Sequence, residues 1–249
     1  MRKIVINSLL IIGILLVLYP FIGRVISKFN QTIVISNYKK EVSLMSNKEK
    51  EEAKSEYKKC NNGKSSLNLL DTGECLGYID IPKINVYLPI YEGTSDDVLL
   101  QGIGHLKSTS LPIGGKNSNS VLVGHTGITA NTFFDNLIDL ELEDVFYIYI
   151  LDDVLKYEVT DIKVVLPDDT ENIKTIEEKD LVTLVTCTPK YVNSHRLLVI
   201  SERIECEKNN IENSNKENIV TIINEYKWFI VIVIIIFMIF VAVNSFIKL

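Results

Sequence analysis

The chain has 249 residues, with 26 Lys plus Arg against 32 Asp plus Glu, and two stretches hold none of those charges. Residues 4–23 and 228–247 are each 20 uncharged residues, about the ~20 that a helix needs to cross ~30 Å of hydrocarbon, which excludes a freely soluble protein. The intervening residues 24–227 carry all 32 acids but only 23 bases, a net charge of −9. That sign disfavours nucleic acid as a partner, because phosphate binding rests on Lys and Arg clusters.

The first stretch, IVINSLLIIGILLVLYPFIG, exceeds the ~7–15 apolar residues of a signal peptide and has no small-x-small cleavage site after it. It is expected to be an uncleaved N-terminal transmembrane helix, residues 4–23. Residues 24–75 follow as a helical spacer and lid-like region. Its run NKEKEEAKSEYKK consists of good helix formers of both charge signs, which serve either to lift the next region off the membrane or as a solvated helix with no role of its own. Cys60 and Cys75 flank the polar loop NNGKSSLNLLDTGE, and a local bridge and two unpaired thiols are equally compatible with that spacing. Four cysteines are too few for a disulfide framework in a domain of this size, and Cys206 is expected to be an unpaired thiol.

From Leu76 the composition changes to short runs rich in β-branched and aromatic residues. LGYIDI, NVYLPIY, SVLVGH, VFYIYIL, VLKYEVTDIKVVL, DLVTLVTC and RLLVISERI each read as strands. TSDDVLLQGIGHL and TGITANTFFDNLIDL are long enough for single inserted helices. Many short strands without a βαβ rhythm predict a mainly-β fold, a small barrel over residues 76–206. A linker, 207–227, leads to the second stretch, WFIVIVIIIFMIFVAVNSFI, which opens on the interfacial ring of Trp228 and reads as a C-terminal transmembrane helix, 228–247. Two spans put both short tails on one side, most simply the cytoplasm, and the middle outside.

Three residues at strand edges are candidates for chemistry. Cys187 ends DLVTLVTC, where a sheet would hold its sulfur toward the loops, as a nucleophile requires. His125 closes SVLVGH at a similar strand-to-loop exit. Arg196 opens RLLVI nine residues after Cys187, so a short turn between antiparallel strands would return it beside the thiol, where a cation stabilises an oxyanion or lowers a thiol pKa. Each alone has a structural explanation in packing or a surface ion pair.

Together they carry a resemblance. Thr183 to Cys187, TLVTC, resembles the TLxTC signature of sortases, the membrane-anchored cysteine transpeptidases of Gram-positive bacteria. The likeness continues through LGYIDIPKINVYLPIYEGTS, GIGHLKSTSLPIGG, SVLVGHTG and LVTLVTCTPKYVNSHRLLV. The two anchors, with the GHLxxTSLPxGG and NSHRLLV wording, are most similar to class C, the pilin-polymerising sortases. The resemblance implies the eight-stranded sortase β-barrel with short inserted helices, catalytic roles for His125, Cys187 and Arg196, a cleft shaped by Thr183 and Thr186, and no cofactor or metal. It implies substrates with LPxTG-like C-terminal sorting signals, pilin subunits among them, and a plasma-membrane protein with an extracellular catalytic domain. His105 and His195 are given structural roles. His195 adjoins Arg196, and neighbours on a regular strand point to opposite faces.

The sequence departs from class C in three places. The Asp-Pro-aromatic lid tripeptide usual ahead of the barrel does not occur in residues 57–74. Lys190 and Tyr191 stand where Tyr-Gly is often found, and Asn119 stands where a His is common. A cell-wall anchoring sortase that uses a peptidoglycan amine, a cysteine hydrolase and an inactive two-span scaffold are the alternatives. The scaffold leaves TLVTC, the Gly-His pair and the arginine unexplained.

Overall fold

One helix ends at Leu44, and Ser46 caps the start of the next. Its hydroxyl accepts a hydrogen bond from the Glu49 N–H at 3.3 Å, while the Glu49 carboxylate accepts from the Ser46 N–H at 2.7 Å. This reciprocal cap stabilises a fresh helical start and separates α1 (Arg2–Leu44) from α2 (Asn47–Asn61). The computed structural model describes residues 2–62, 75–127, 133–206 and Val231. The 63–74 part of the expected lid-like region and, Val231 apart, the 207–227 linker and the 228–247 span lie outside the described residues. Residues 4–23 belong to α1, but many of their side chains are not described. Among the described residues no helix is long and apolar enough to cross a membrane.

Residues 22–206 form one compact unit. Eight strands make it: β1 (Cys75–Ile81), β2 (Val86–Glu92), β3 (Ile103–His105), β4 (Ser118–Val123), β5 (Val145–Ile150), β6 (Asp153–Val165), β7 (Asp180–Thr188) and β8 (His195–Ile204). They close into a barrel in the order β1-β2-β3-β4-β7-β8-β6-β5, as the mainly-β reading predicts. The β2–β3 and β4–β7 pairs are parallel and the rest antiparallel. Alternate residues of the strands fill the interior, with Ile79, Ile90, Leu122, Ile148, Leu184 and Val199 fully buried there. Each such side chain removed from water contributes about 1.5–3 kcal/mol before entropy is counted.

A second, smaller apolar patch forms on the other face of β4, β7 and β8. Val121, Val185 and Leu198 make it, and Leu106, Val123, Val165 and Ile173 pack against it. Ile173 comes from the β6–β7 connection, where the Asn119 amide donates to the carbonyls of Ile173 at 3.0 Å and Lys174 at 3.3 Å.

Among the described residues, the two stretches long enough for single inserted helices hold only short helical turns. Thr94 to Leu106 contains α3 (Asp96–Leu99) and then β3. Gly102 and Gly104 explain the switch, since a Cβ on Gly104 would lie 2.3 Å from the Gly93 carbonyl oxygen and one on Gly102 2.6 Å from that of Pro89. Only bare backbone passes so close to β2. In the described part of 126–140 the one helical turn is a 3-10 turn, Leu137–Asp139, because Phe133 and Phe134 are drawn into the core.

The spacer helices are docked on the barrel. Gln31, Ile35 and Val42, spaced to share one helix face, are buried. The Tyr38 hydroxyl donates to the Leu76 carbonyl at 2.9 Å and accepts from the Leu151 N–H at 2.6 Å. On α2, Lys54 pairs with Asp152 and Asp153 at 2.8 and 2.9 Å, and Tyr57 and Cys60 pack against the main core.

Candidate active site

Cys187 and Arg196 are register partners across the antiparallel β7–β8 pair. Paired residues lie on the same face of a sheet and alternate ones return to it, so both share the face of Val185 and Leu198. On the other side of β7, the parallel partner β4 pairs Val123 with Val185, and the Gly124 N–H donates to the Val185 carbonyl at 3.0 Å. His125 lies two residues beyond Val123, as Cys187 lies two beyond Val185. The ends of β4 and β7 and the start of β8 therefore bring His125, Cys187 and Arg196 to one rim of the barrel, above the smaller apolar patch. All three are partly exposed.

The Arg196 guanidinium folds over the β7–β8 turn, donating through Nη1 to the carbonyls of Asn193 at 3.2 Å and His195 at 3.1 Å. Among the described residues no carboxylate pairs with it. The turn is tight. The N–H groups of Val192 and Asn193 both donate to the Pro189 carbonyl, at 3.0 and 2.9 Å, and Tyr191 and Asn193 have φ of 69° and 60°.

Thr183 and Thr186 lie on opposite faces of β7. The Thr183 hydroxyl, 0% exposed, donates to the Asn119 side-chain oxygen at 3.0 Å. The Thr186 hydroxyl donates to the Gly124 carbonyl at 2.7 Å, fastening the residue before His125 to the strand that carries Cys187. His105 is buried, with Nδ1 at 2.7 Å from Glu92 and Nε2 at 2.9 Å from the Ser110 carbonyl oxygen, in keeping with a structural role. His195 occupies the face opposite Arg196. None of Cys60, Cys75, Cys187 and Cys206 is disulfide-bonded, and the Cys75 Sγ donates to the Gly77 carbonyl at 3.1 Å. Of the two readings open for Cys60 and Cys75, the structure has no disulfide between them.

One residue escapes sequence reasoning. Asp135, in FFDNL, accepts hydrogen bonds at Oδ1 from the Gly127 N–H at 2.7 Å and the Thr126 hydroxyl at 3.1 Å, and at Oδ2 from Lys190 at 2.6 Å. That pairing holds the Lys190 ammonium above the usual lysine range. In the sequence Asp135 looks like an ordinary polar position between apolar ones, and no spacing marks it.

The barrel and this rim define the class of protein. Residues 79–204, half of the chain, match the sortase domain family, and the chain belongs to the sortase family of cysteine transpeptidases. The solved structures it is similar to include class C members. Sortase C of Clostridium perfringens, in a structure with its C-terminal cell wall sorting motif, is 41% identical with a TM-score of 0.64, over 70% of this chain and 100% of that one. Sortase C of Streptococcus pneumoniae is 37% identical with a TM-score of 0.66, over 70% and 97%. Sortase D of Bacillus subtilis is 36% identical over 137 residues, 54% of this chain and 66% of that protein, so the matched stretch spans just under two thirds of that relative's length.

Proposed function

We propose that this chain is a membrane-anchored transpeptidase that cleaves LPxTG-like sorting signals and joins them to a lysine amine of a pilin subunit, with residues 4–23 and 228–247 as anchors, 24–75 and 207–227 as connecting segments, and 76–206 working outside the plasma membrane of a Gram-positive bacterium. The observation that carries the reading is the direct pairing of Cys187 with Arg196 beside the His125 strand end. In this reaction the Cys187 thiolate attacks the carbonyl of the Thr-Gly bond, forming a tetrahedral oxyanion that the Arg196 N–H groups stabilise. His125 gives a proton to the departing glycine amine, and the C–N bond breaks to leave a thioester. The incoming lysine amine attacks that thioester, His125 takes its proton, and Cys187 is released with a new amide formed. Thr183 and Thr186 shape the cleft from within, by fixing β7 against β4.

Support for class C comes from the sortase C neighbours, among them the Streptococcus pneumoniae enzyme whose structure was described in terms of pilin substrate specificity. The missing Asp-Pro-aromatic tripeptide favours a second reading, a cell-wall anchoring sortase with a peptidoglycan amine as nucleophile. One experiment tests both. The full chain in detergent is incubated with an LPxTG-type peptide and either a pilin-derived lysine peptide or a peptidoglycan stem peptide. A Cys187 thioester by mass spectrometry, resolved faster by the lysine peptide, is expected. Faster resolution by the stem peptide would favour anchoring, and no adduct in either case would sink the transpeptidase reading.

A further inference from the structure

The loop that leaves His125 returns to a narrow neck. The Phe134 N–H donates to the His125 carbonyl at 3.1 Å, and Asp135 then takes the Thr126 hydroxyl and the Gly127 N–H. The second oxygen of the same carboxylate reaches out of the neck to Lys190, three residues after Cys187 in the β7–β8 turn. A pair confined to the surface would contribute little. Here the Asp135 side chain is only 6% exposed and holds three donors, so its placement is set by both segments at once.

A second contact joins the same two segments independently. Gly127, at φ 78°, lies under the Tyr191 ring, where an added Cβ would be 3.1 Å from Tyr191 Cδ1. The Lys190 ammonium also sits 5.4 Å from the centroid of that ring. The turn that follows Cys187 and the loop that leaves His125 thus touch at a buried carboxylate and at a glycine–aromatic contact.

We propose that Asp135, through Lys190, is a positioning residue that locks the His125 loop to the turn following Cys187 and so sets the distance and angle between imidazole and thiol. The inference rests on the transpeptidase reading for the importance of that geometry, and concerns residues that touch no reacting atom. It also accounts for Lys190 and Tyr191 standing where Tyr-Gly is often found: the lysine reaches the Asp135 carboxylate and the aromatic ring lies over Gly127.

The test uses the full-length chain in detergent with Lys190→Met, Lys190→Arg, Asp135→Asn and, as reference, His125→Ala. Two quantities are followed: the pH profile of Cys187 alkylation by iodoacetamide, read by peptide mapping, and kcat and KM for an LPxTG-type peptide. Misplacing a catalytic pair by about 1 Å can cost up to ~10²-fold, so Lys190→Met and Asp135→Asn should lower kcat about tenfold and leave KM within about twofold. Both should move the alkylation profile toward that of His125→Ala, and Lys190→Arg should restore profile and kcat alike. An unmoved profile in folded Lys190→Met and Asp135→Asn overturns the proposal, whatever the activity. Absence of peptide transfer in the wild type would instead fail the transpeptidase reading, while the alkylation profile still decides this one.

Discussion

Cys187 pairs with Arg196 directly across two antiparallel strands, so a six-residue turn, 189–194, lies between thiol and cation along the chain while hydrogen-bonded sheet fixes their backbones side by side. A loop would leave such a pair to sample many separations. The strand pair removes that freedom before substrate arrives, which is the kind of preorganisation oxyanion stabilisation requires.

Replacing the nucleophile gives the first expectation. Cys187→Ala abolishes thioester formation while thermal stability stays close to wild type, because the side chain is partly exposed at a strand end. Cys206→Ala, beyond the end of β8, leaves turnover unchanged. Peptide cleavage assays on both variants check this, and a comparable loss in Cys206→Ala would identify the wrong thiol.

Arg196→Lys keeps the charge and loses the planar fork of donors. Two acceptors already occupy Nη1, so the remaining N–H groups are those left for the oxyanion. A fall of ~10²–10³ in kcat is expected. Turnover within a few-fold of wild type would contradict the oxyanion role.

On α1, one hydroxyl serves two backbone groups of the barrel. Tyr38→Phe strands the Leu76 carbonyl and the Leu151 N–H together and should destabilise the domain by about 1–3 kcal/mol. Urea unfolding measures it. An unchanged midpoint would mean that the helix does not depend on this hydroxyl.

Buried tyrosines set the alkaline limit. Burial pushes the Tyr91 phenol up to about 12 and also raises Tyr38, Tyr78, Tyr87 and Tyr157. In the unfolded chain all five ionise near pH ~10. Above that pH the unfolded state binds fewer protons than the folded one, so stability is full below ~10 and falls as pH rises through the raised folded values. Tyrosinate absorbance should therefore appear cooperatively with unfolding. Full absorbance while circular dichroism is still native would refute it.

Seven of the eight strands were legible as β-branched and aromatic runs, because each has enough alternating apolar residues to mark its own face. The three-residue β3 was not, since Gly102 and Gly104 have no side chains to display a period and the residues before them are acceptable helix formers. His125, Cys187 and Arg196 stood out as candidates because each lies at or near the end of a strand-like run. Asp135 was not, because its significance lies in partners 8 and 55 residues away in sequence, a relation that only the closed barrel creates. The docking of α1 was hidden for a similar reason: nothing along the helix tells that Tyr38 will meet Leu76 and Leu151.

The parallel pairing of β4 with β7 also governs when the thiol becomes useful. Parallel neighbours cannot be joined by a hairpin, and here β5 and β6 lie between β4 and β7 in the chain. Contacts of such high sequence separation form late and slowly. On the roles proposed above, a freshly made chain would carry Cys187 apart from His125 until the barrel shuts, with a nucleophile but no acid to release a product.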